Sequence, residues 1–511
     1  MTETEQSQFF GEVKVASSIV DFLSSGLYES PAACLKELIN NSYDADATTV
    51  DLFVKPDADR IIIQDDGYGF TRADFEDHFS RVSESSKRDV SDTTLSGRKK
   101  IGLIGIGFIA ANEICEEMEI FSTVAGSTEL LHVTVDFRKM RQPRHERRAS
   151  KGGDVTKGDY RGSIERAPRD THFTRIFLKE VRGHAREMLV GAAKARGLDP
   201  LGSTLYGLKP ETIRERLKRL RSWGELDFYS QTMLKVGLNV PVRYVESWCP
   251  TDVEPSLRRF AHHASRLNFA LNYDGTDLRK PVVLRNGASD HVAHEFKLEG
   301  EHIAAEGYLY ATHGTVTPTD LNGVLIRIRE AAVGEYDPTF MGFPKTIGSL
   351  LQRWITCELW ADDRLEEAMN IDRRTLRQAH RAYAELQTMF HRQLDDFISE
   401  VRAKLYTAGA SAKRAEQARS QAETIRRIVE QEASELPREA RQRIVRAWQP
   451  PSDGHQSPTT ASAKQLQRQL VQKFTVAEIY EIVVEVATEV LSPDERRRFL
   501  EALTERLREP R

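Results

Sequence analysis

Three polar residues within one short stretch have a spacing that suits shared chemistry. In Glu37-Leu38-Ile39-Asn40-Asn41-Ser42-Tyr43-Asp44-Ala45-Asp46-Ala47, Glu37, Asn41 and Asp44 fall at i, i+4 and i+7. On a helix this puts them on one face. Leu35, Leu38, Ile39 and Ser42 form an adjoining stripe. An acid, an amide and a second acid cost free energy if buried without partners. The polar stripe is therefore either a solvated face or one wall of a polar site. Pro31 suits a first helical position, where its missing N–H costs nothing. The helix is expected from about Pro31 to Ala47.

Two glycine-bearing clusters follow. Arg60 to Gln64, with its Ile61-Ile62-Ile63 core, reads as a strand and runs into Asp65-Asp66-Gly67-Tyr68-Gly69-Phe70. A carboxylate at a strand end, then two glycines two apart, sets an acceptor beside backbone that a ligand can approach closely. A plain turn fits the same residues. Further on, Gly102, Gly105 and Gly107 lead into an expected helix from Gly107 to Cys115. Backbone N–H groups at such a helix start suit phosphate, and a close helix–sheet contact would use the same glycines. Basic, polar sequence precedes them, whereas the dinucleotide fingerprint needs a strand there, and the G-x-x-x-x-G-K-[ST] loop is absent.

The elements that would position these residues are strands at Thr48–Val54, Met118–Val124, Leu130–Phe137 and Phe173–Leu178, after a short amphipathic helix over Lys14 to Ser24. Thr71 to Lys100 is polar and poorly periodic, as a disordered segment or a functional lid would be. Arg138 to Arg169 is rich in Arg and Lys and reads as a long flexible loop, or as a nucleic-acid or partner-binding arm. Helices are expected over Ala185 to Ala195 and Glu211 to Trp223. Strands then dominate from Phe228 to Ala332, at Val242–Val245, Leu267–Tyr273, Pro281–Arg285, His302–Thr312 and Gly323–Arg329. Pro344 to Trp360 is expected as a helix, with Trp354 and Trp360 as core anchors, and a long charged helix is expected to run on from the segment Leu365 to Leu376 to about Ser399. Helical stretches over Glu400 to Ala433 and Pro437 to Trp448 precede a Pro-rich linker, Gln449 to Ser462. The tail, Lys464 to Arg508, reads as an amphipathic oligomerisation element or a helical cap.

At 511 residues the chain exceeds one ordinary core. Hydrophobic residues make up 40% and charged residues 29%, the balance of a globular chain, and a net charge of −4 gives no global pull toward nucleic acid. Cys34, Cys115, Cys249 and Cys357 lie far apart and fit no metal-ligand spacing, so a reduced, cytoplasmic setting is expected. The N-terminus has no signal-peptide pattern, and no apolar run approaches the ~20 residues of a membrane span. There is no internal repeat, and no acidic metal cluster or active-site tyrosine context of a nuclease or topoisomerase.

ELINNSYDADAT, IIIQDDGYGF, IGLIGIGF and THFTRIFL, in this order, resemble the GHKL ATPase superfamily, which joins gyrase-type topoisomerases, heat-shock protein 90 chaperones, histidine kinases and MutL/MORC proteins. The resemblance spans about residues 10–180. It implies an α+β chain: an N-terminal α/β sandwich (Bergerat fold) over 1–183 with a lid at 71–104, a helical connector at 184–225 and a transducer-like α/β middle domain at 226–378. A helical region at 379–448, a linker at 449–463 and a helical tail at 464–511 would complete it.

The resemblance also implies roles. Glu37 sits at the position of the general base that activates water, Asn41 at that of the Mg²⁺ ligand, and Asp44 near the ribose and metal end. Asp65 resembles the acceptor for the adenine amino group. Gly67, Gly69 and Phe70 would surround the base, and Gly102, Gly105 and Gly107 would cradle the phosphates. Thr174 is similar to the family's threonine near adenine, although Phe173 stands where a glycine is usual. Ser86-Lys87 resembles the Ser-Lys of the MutL and MORC branches, with Lys87 reaching the phosphates. Asn370-Ile371-Asp372-Arg373-Arg374-Thr375-Leu376 is similar to the chaperone segment that carries an arginine to the γ-phosphate, with Arg373 first and Arg374 second. The implied activity is Mg²⁺-dependent ATP hydrolysis by a homodimeric clamp acting on a client protein or on DNA. The runners-up are a DNA-associated ATPase in genome defence and a non-hydrolysing ATP sensor.

Overall fold

The computed structural model describes residues 7–16, 30–54, 59–78, 93–102, 107–138, 155–190, 203–284, 291–344, 349–370, 374–407, 439 and 476–508. Residues 1–402 form one compact unit and 403–511 another. The first unit holds two sheets. The larger contains β1 (Ser7–Ala16), β2 (Thr49–Phe53), β3 (Arg60–Asp65), β4 (Cys115–Thr123), β5 (Glu129–Asp136), β6 (Val155–Arg166), β7 (Phe173–Val181), β8 (Ala270–Tyr273) and β9 (Thr276–Leu278). Their spatial order is β1-β6-β5-β4-β7-β3-β2-β8-β9. All neighbours are antiparallel except β2 and β8. The smaller contains β10 (His291–Glu299), β11 (Ala304–Thr312), β12 (Gly323–Ile328), β13 (Ala331–Asp337) and β14 (Ile355–Ala361), in the order β10-β11-β14-β12-β13. Helices α1 (Pro31–Asp44), α2 (Arg72–His78), α3 (Gly183–Val190), α4 (Pro210–Leu217), α5 (Phe228–Asn239), α6 (Arg258–Arg266), α7 (Ser349–Gln352) and α8 (Arg381–Val401) pack with them. In the second unit, α9 (Val476–Val490) packs on α10 (Pro493–Arg508).

Period-two burial decides what faces the core. In β3, Ile61, Ile63 and Asp65 alternate inward. The apolar pair fixes the pleat, and the pleat carries a carboxylate in with it. Helix α1 is buried on nearly every side, against the 3₁₀ turn Gly107–Glu113, α3, α5 and β3. The polar stripe of α1 is therefore not a solvated face.

A buried ion pair links two neighbouring strands of the second sheet. Arg327 of β12 and Glu358 of β14 are both fully buried. Arg327 Nε donates to Glu358 Oε1 at 2.9 Å and Nη1 to the Leu238 carbonyl at 3.0 Å. Tyr244 and Tyr308 hydroxyls donate to Glu358 Oε2 at 2.9 and 2.8 Å. Satisfying nearly every polar atom makes such a pair tolerable, while removing one partner would leave an uncompensated charge.

Several sequence expectations are corrected. Lys14 to Ala16 closes β1 rather than opening a helix, and 17–24 lies outside the described residues. The basic stretch 138–169 contains β6, which pairs with β1 on one side and β5 on the other. Backbone ladders need no apolar side chains, so a strand with charged flanks reads as a loop. Phe228–Asn239 is helical, not the start of a strand region. Pro344 to Trp360 holds the short α7 and then β14, not one helix. Gly107–Glu113 is 3₁₀. Asp363–Ala368 is a 3₁₀ turn, and the long helix begins only at Arg381.

Candidate active site

The end of β3 and the C-terminal turn of α1 meet at Asp65, which is 5% exposed. Ser42 Oγ donates to Asp65 Oδ2 at 2.7 Å and Gly67 N to Oδ1 at 3.0 Å. Burial pushes this carboxyl up to about 6, and the two donors pull against it. Asp65 lies opposite Thr174 of β7. The Thr174 hydroxyl is 3.0 Å from Ser122 Oγ, which also accepts from Phe70 N at 3.0 Å. Phe173 faces the other way: Arg175 covers its ring at 5.5 Å.

The backbone after Asp65 passes so close to its neighbours that no side chain fits. A Cβ on Gly67 would sit 2.8 Å from the Ala45 carbonyl oxygen. Gly69 has φ +71, and a Cβ there would sit 2.2 Å from the Thr123 carbonyl oxygen. Both positions need glycine. Phe70 packs half-buried against the core. His172 Nδ1 lies 2.9 Å from the Gly67 carbonyl and braces the loop from β7's entry.

The other expected residues lie along α1, from Asp44 at its C-terminal end back to Glu37. Asp44 is buried, and its two oxygens accept from Ile101 N at 2.6 Å and Gly102 N at 2.7 Å. Gly102 lies against Asn41: a Cβ on it would be 3.7 Å from Asn41 Oδ1. Glu37, 7% exposed, borders a pocket shared with Lys36, Lys235, Gly334, Glu335 and Arg374. Lys235 is held by Glu335 at 2.8 Å. Arg374 arrives on a loop closed by Asn370 N donating to the Thr375 carbonyl at 3.0 Å and by a bridge from Met369 to Leu376. Asn40 is 1% exposed, and neither end of its amide has a partner among the described residues. It lies three residues from Glu37 and four from Asp44, the spacing of one helix face.

Lys87, Gly105 and Arg373 lie outside the described residues, and Gly107 opens the 3₁₀ turn. Sequence reasoning missed Ser42, which was grouped with the apolar stripe, and Lys36, Ser122 and Lys235. Ser42 carried one signal: a hydroxyl one turn after Leu38, beside the Asp65 strand.

The donor set fits a purine nucleotide. A buried acceptor sits beside side-chain-free backbone at the C-terminal end of α1, and Glu37 borders a pocket with cations nearer the N-terminal end of the same helix. Among the described residues, no three His, Cys, Asp or Glu side chains group as a metal site. A divalent ion here would rest on Asn41 and few other protein ligands, keeping its waters. No described helix is long and apolar enough to cross a membrane.

Comparison with known proteins agrees. Residues 28–151 match the family described as "Histidine kinase-, DNA gyrase B-, and HSP90-like ATPase". A putative type II restriction enzyme, HgiDII, from Herpetosiphon aurantiacus is 35% identical over 115 residues, which is 22% of this chain and 18% of the relative. The chaperone protein HtpG of Mycobacterium ulcerans (strain Agy99) is 25% identical over 149 residues, 24% of this chain and 22% of the relative. HtpG of Mycobacterium avium (strain 104) is 25% identical over 152 residues, 24% of this chain and 23% of the relative. The chain thus spans about a fifth of the length of the relatives it matches. Over residues 28–151, the chain is similar to the GHKL ATPase superfamily.

Proposed function

We propose that the chain is an ATP-hydrolysing conformational clamp resembling heat-shock protein 90-type chaperones. The observation that carries this reading is the pocket common to Glu37 of α1 and Arg374, whose loop lies against Gly334 of β13 in the second sheet. Hydrolysis that needs both residues is tied to the packing of one sheet on the other.

In this reading Asp65, ionised, accepts a hydrogen bond from the adenine amino group, and Ser42 and Gly67 fix its orientation. Discrimination follows because a base without that donor would leave a buried carboxylate unpaired. Gly67 and Gly69 admit the base to the backbone, with Phe70 and Thr174 alongside. Glu37 takes the proton of the attacking water. Arg374 stabilises charge that develops on the transferred phosphoryl group. Bound Mg²⁺ supplies charge neutralisation at the phosphates, and Asn41 is the residue that would hold it. Homodimerisation and a cytoplasmic setting belong to the same proposal, and sedimentation with and without nucleotide tests the dimer.

The deciding experiment is Glu37→Ala. ATP affinity should persist while hydrolysis disappears, and equal loss of both would reject the base. Binding without turnover in the unaltered protein would instead mark an ATP-gated sensor. A second output, a MORC- or MutL-like DNA-associated ATPase, is favoured by the relative named as a putative restriction enzyme. ATPase rates with and without duplex DNA over a salt series separate the two. Stimulation that weakens with salt supports DNA, and no response leaves the client-protein reading ahead.

A further inference from the structure

Five consecutive residues beside the Asn41–Asp44 wall are gripped from both sides. Arg98 Nη1 donates to the Ala47 carbonyl at 2.6 Å and Nη2 to the Asn268 carbonyl at 3.2 Å. Lys99 Nζ pairs with Asp363 Oδ2 at 2.7 Å. The Lys100 carbonyl accepts from Arg329 Nη1 at 2.5 Å. Ile101 and Gly102 then give their N–H groups to Asp44. The strap 98–102 therefore has α1 on one side and the second sheet on the other.

Arg329 is itself fixed. Its side chain is 3% exposed, with Nε 2.9 Å from Asp363 Oδ1 and Nη2 3.3 Å from Glu366 Oε2. Asp363 thus joins Arg329 to Lys99. The backbone that presents Arg329 is unusual. Arg329-Glu330 is the two-residue turn between β12 and β13, closed by the Ile328–Ala331 pair, with φ +50 and +71. Turns of this kind favour Asn-Gly, because both residues need positive φ. Bulkier side chains are strained there. Here both side chains are engaged: Glu330 lies 2.9 Å from His263 Nε2, and Arg329 holds the strap.

We infer that Arg329 is a positioning residue for the metal end of the pocket. By holding the Lys100 carbonyl it keeps the Ile101 and Gly102 N–H groups on Asp44, and Gly102 against Asn41. A carboxylate with both oxygens accepting has one orientation, so the Asn41–Asp44 wall takes its shape in part from the second sheet. The geometry stands by itself; its consequence for nucleotide rests on the ATP reading above.

Hydrogen exchange on the full chain tests the geometry. Arg329→Ala should lose at least tenfold protection at the Ile101 and Gly102 amides while the β3 amides keep theirs. Calorimetry with ADP tests the consequence: the gain in affinity on adding Mg²⁺ should fall at least tenfold, with metal-free ADP affinity unchanged. Wild-type protection at both amides overturns the inference, and so does a uniform loss across all amides and both affinities. If the unaltered chain binds no ADP, the ATP reading fails and the exchange result still decides the positioning role. Should Arg329→Ala not fold, Asp363→Asn, on the more exposed half of the relay, carries the same readout. It should weaken protection at the same two amides, and unchanged protection there overturns the inference.

Discussion

The ammonium of Lys36, in the middle of α1, donates to the Ala332 carbonyl of β13 at 2.8 Å. The residue preceding Glu37 therefore anchors the pocket helix to the second sheet. Lys36 is 5% exposed, and a buried charge-assisted hydrogen bond is worth about 1.5–3 kcal/mol.

Lys36→Met keeps most of the apolar stem and removes the donor. Stability should fall by about 1–3 kcal/mol, because the Ala332 carbonyl is left buried without this partner. Turnover should fall as well, since β13 carries Gly334 beside Arg374. The urea midpoint measures the first effect, and an unchanged midpoint would show that the tie carries no stability.

The Asp65 carboxyl gives a pH prediction with a definite sign. Burial raises it from an ordinary 3.8 to about 6 in the folded chain. The folded state therefore holds this proton more tightly than the unfolded chain does. Its contribution to stability is full below about pH 4 and is lost as pH rises through about 6. Nucleotide affinity runs the other way, falling as pH drops through 6 and the acceptor is protonated. Asp65→Asn should raise the melting temperature at pH 7, because the Gly67 N–H keeps an acceptor and the Ser42 hydroxyl can rotate to accept. ATP binding should disappear. Melting curves from pH 4 to 8 check this: an equal pH slope for both proteins would locate the titration elsewhere.

Two glycine substitutions separate close approach from backbone conformation. Gly69 and Gly97 have φ +71 and +85, but only Gly69 has backbone pressed against its missing Cβ. Gly97→Ala should cost about 1 kcal/mol through conformation alone. Gly69→Ala should cost more than ~2 kcal/mol, because the Thr123 carbonyl must move, and it should weaken nucleotide binding as the loop shifts. Denaturation of the two variants side by side checks the ranking, and similar losses would mean the Thr123 contact relaxes freely.

The sequence displayed some of these features and hid others for physical reasons. Alternation through Ile61 and Ile63 was enough to aim Asp65 inward, and Pro31 was enough to start α1. The polar stripe of α1 could not be read alone, since its burial comes from α3, α5 and the 3₁₀ turn, distant in sequence. Strand β6 was hidden because its ladder is made by backbone. Strand β14 was hidden because Ile355-Thr356-Cys357-Glu358-Leu359-Trp360 is a short apolar run with an acid in it, and such a run suits a helix or a strand equally. Glu358 belongs in a buried strand only because Arg327 lies on the neighbouring one. Ser42 looked apolar by position until Asp65 was placed beside it.

In the proposed reaction, the chemistry beside Glu37 turns on Arg374. Gly334 has φ +75, and a Cβ there would sit 2.5 Å from the Arg374 carbonyl. The loop is thus seated on β13 at a point where only glycine allows the approach. With the backbone fixed there and Glu37 across the same pocket, Arg374 is placed, in the proposed reaction, to meet charge that appears during phosphoryl transfer; Arg373 lies outside the described residues. A cation used mainly in the transition state raises kcat and leaves ground-state affinity nearly unchanged. Arg374→Ala should therefore lower kcat by about 10²–10³-fold with nucleotide affinity little altered, and Arg373→Ala should have a much smaller effect. Steady-state kinetics with equilibrium nucleotide binding measures both. Normal turnover in Arg374→Ala with a collapsed rate in Arg373→Ala would assign the role to Arg373. A parallel loss of affinity and rate in Arg374→Ala would mean that the loop holds nucleotide in the ground state, and the coupling of hydrolysis to the packing of the second sheet would have to run through Lys36 and β13 alone.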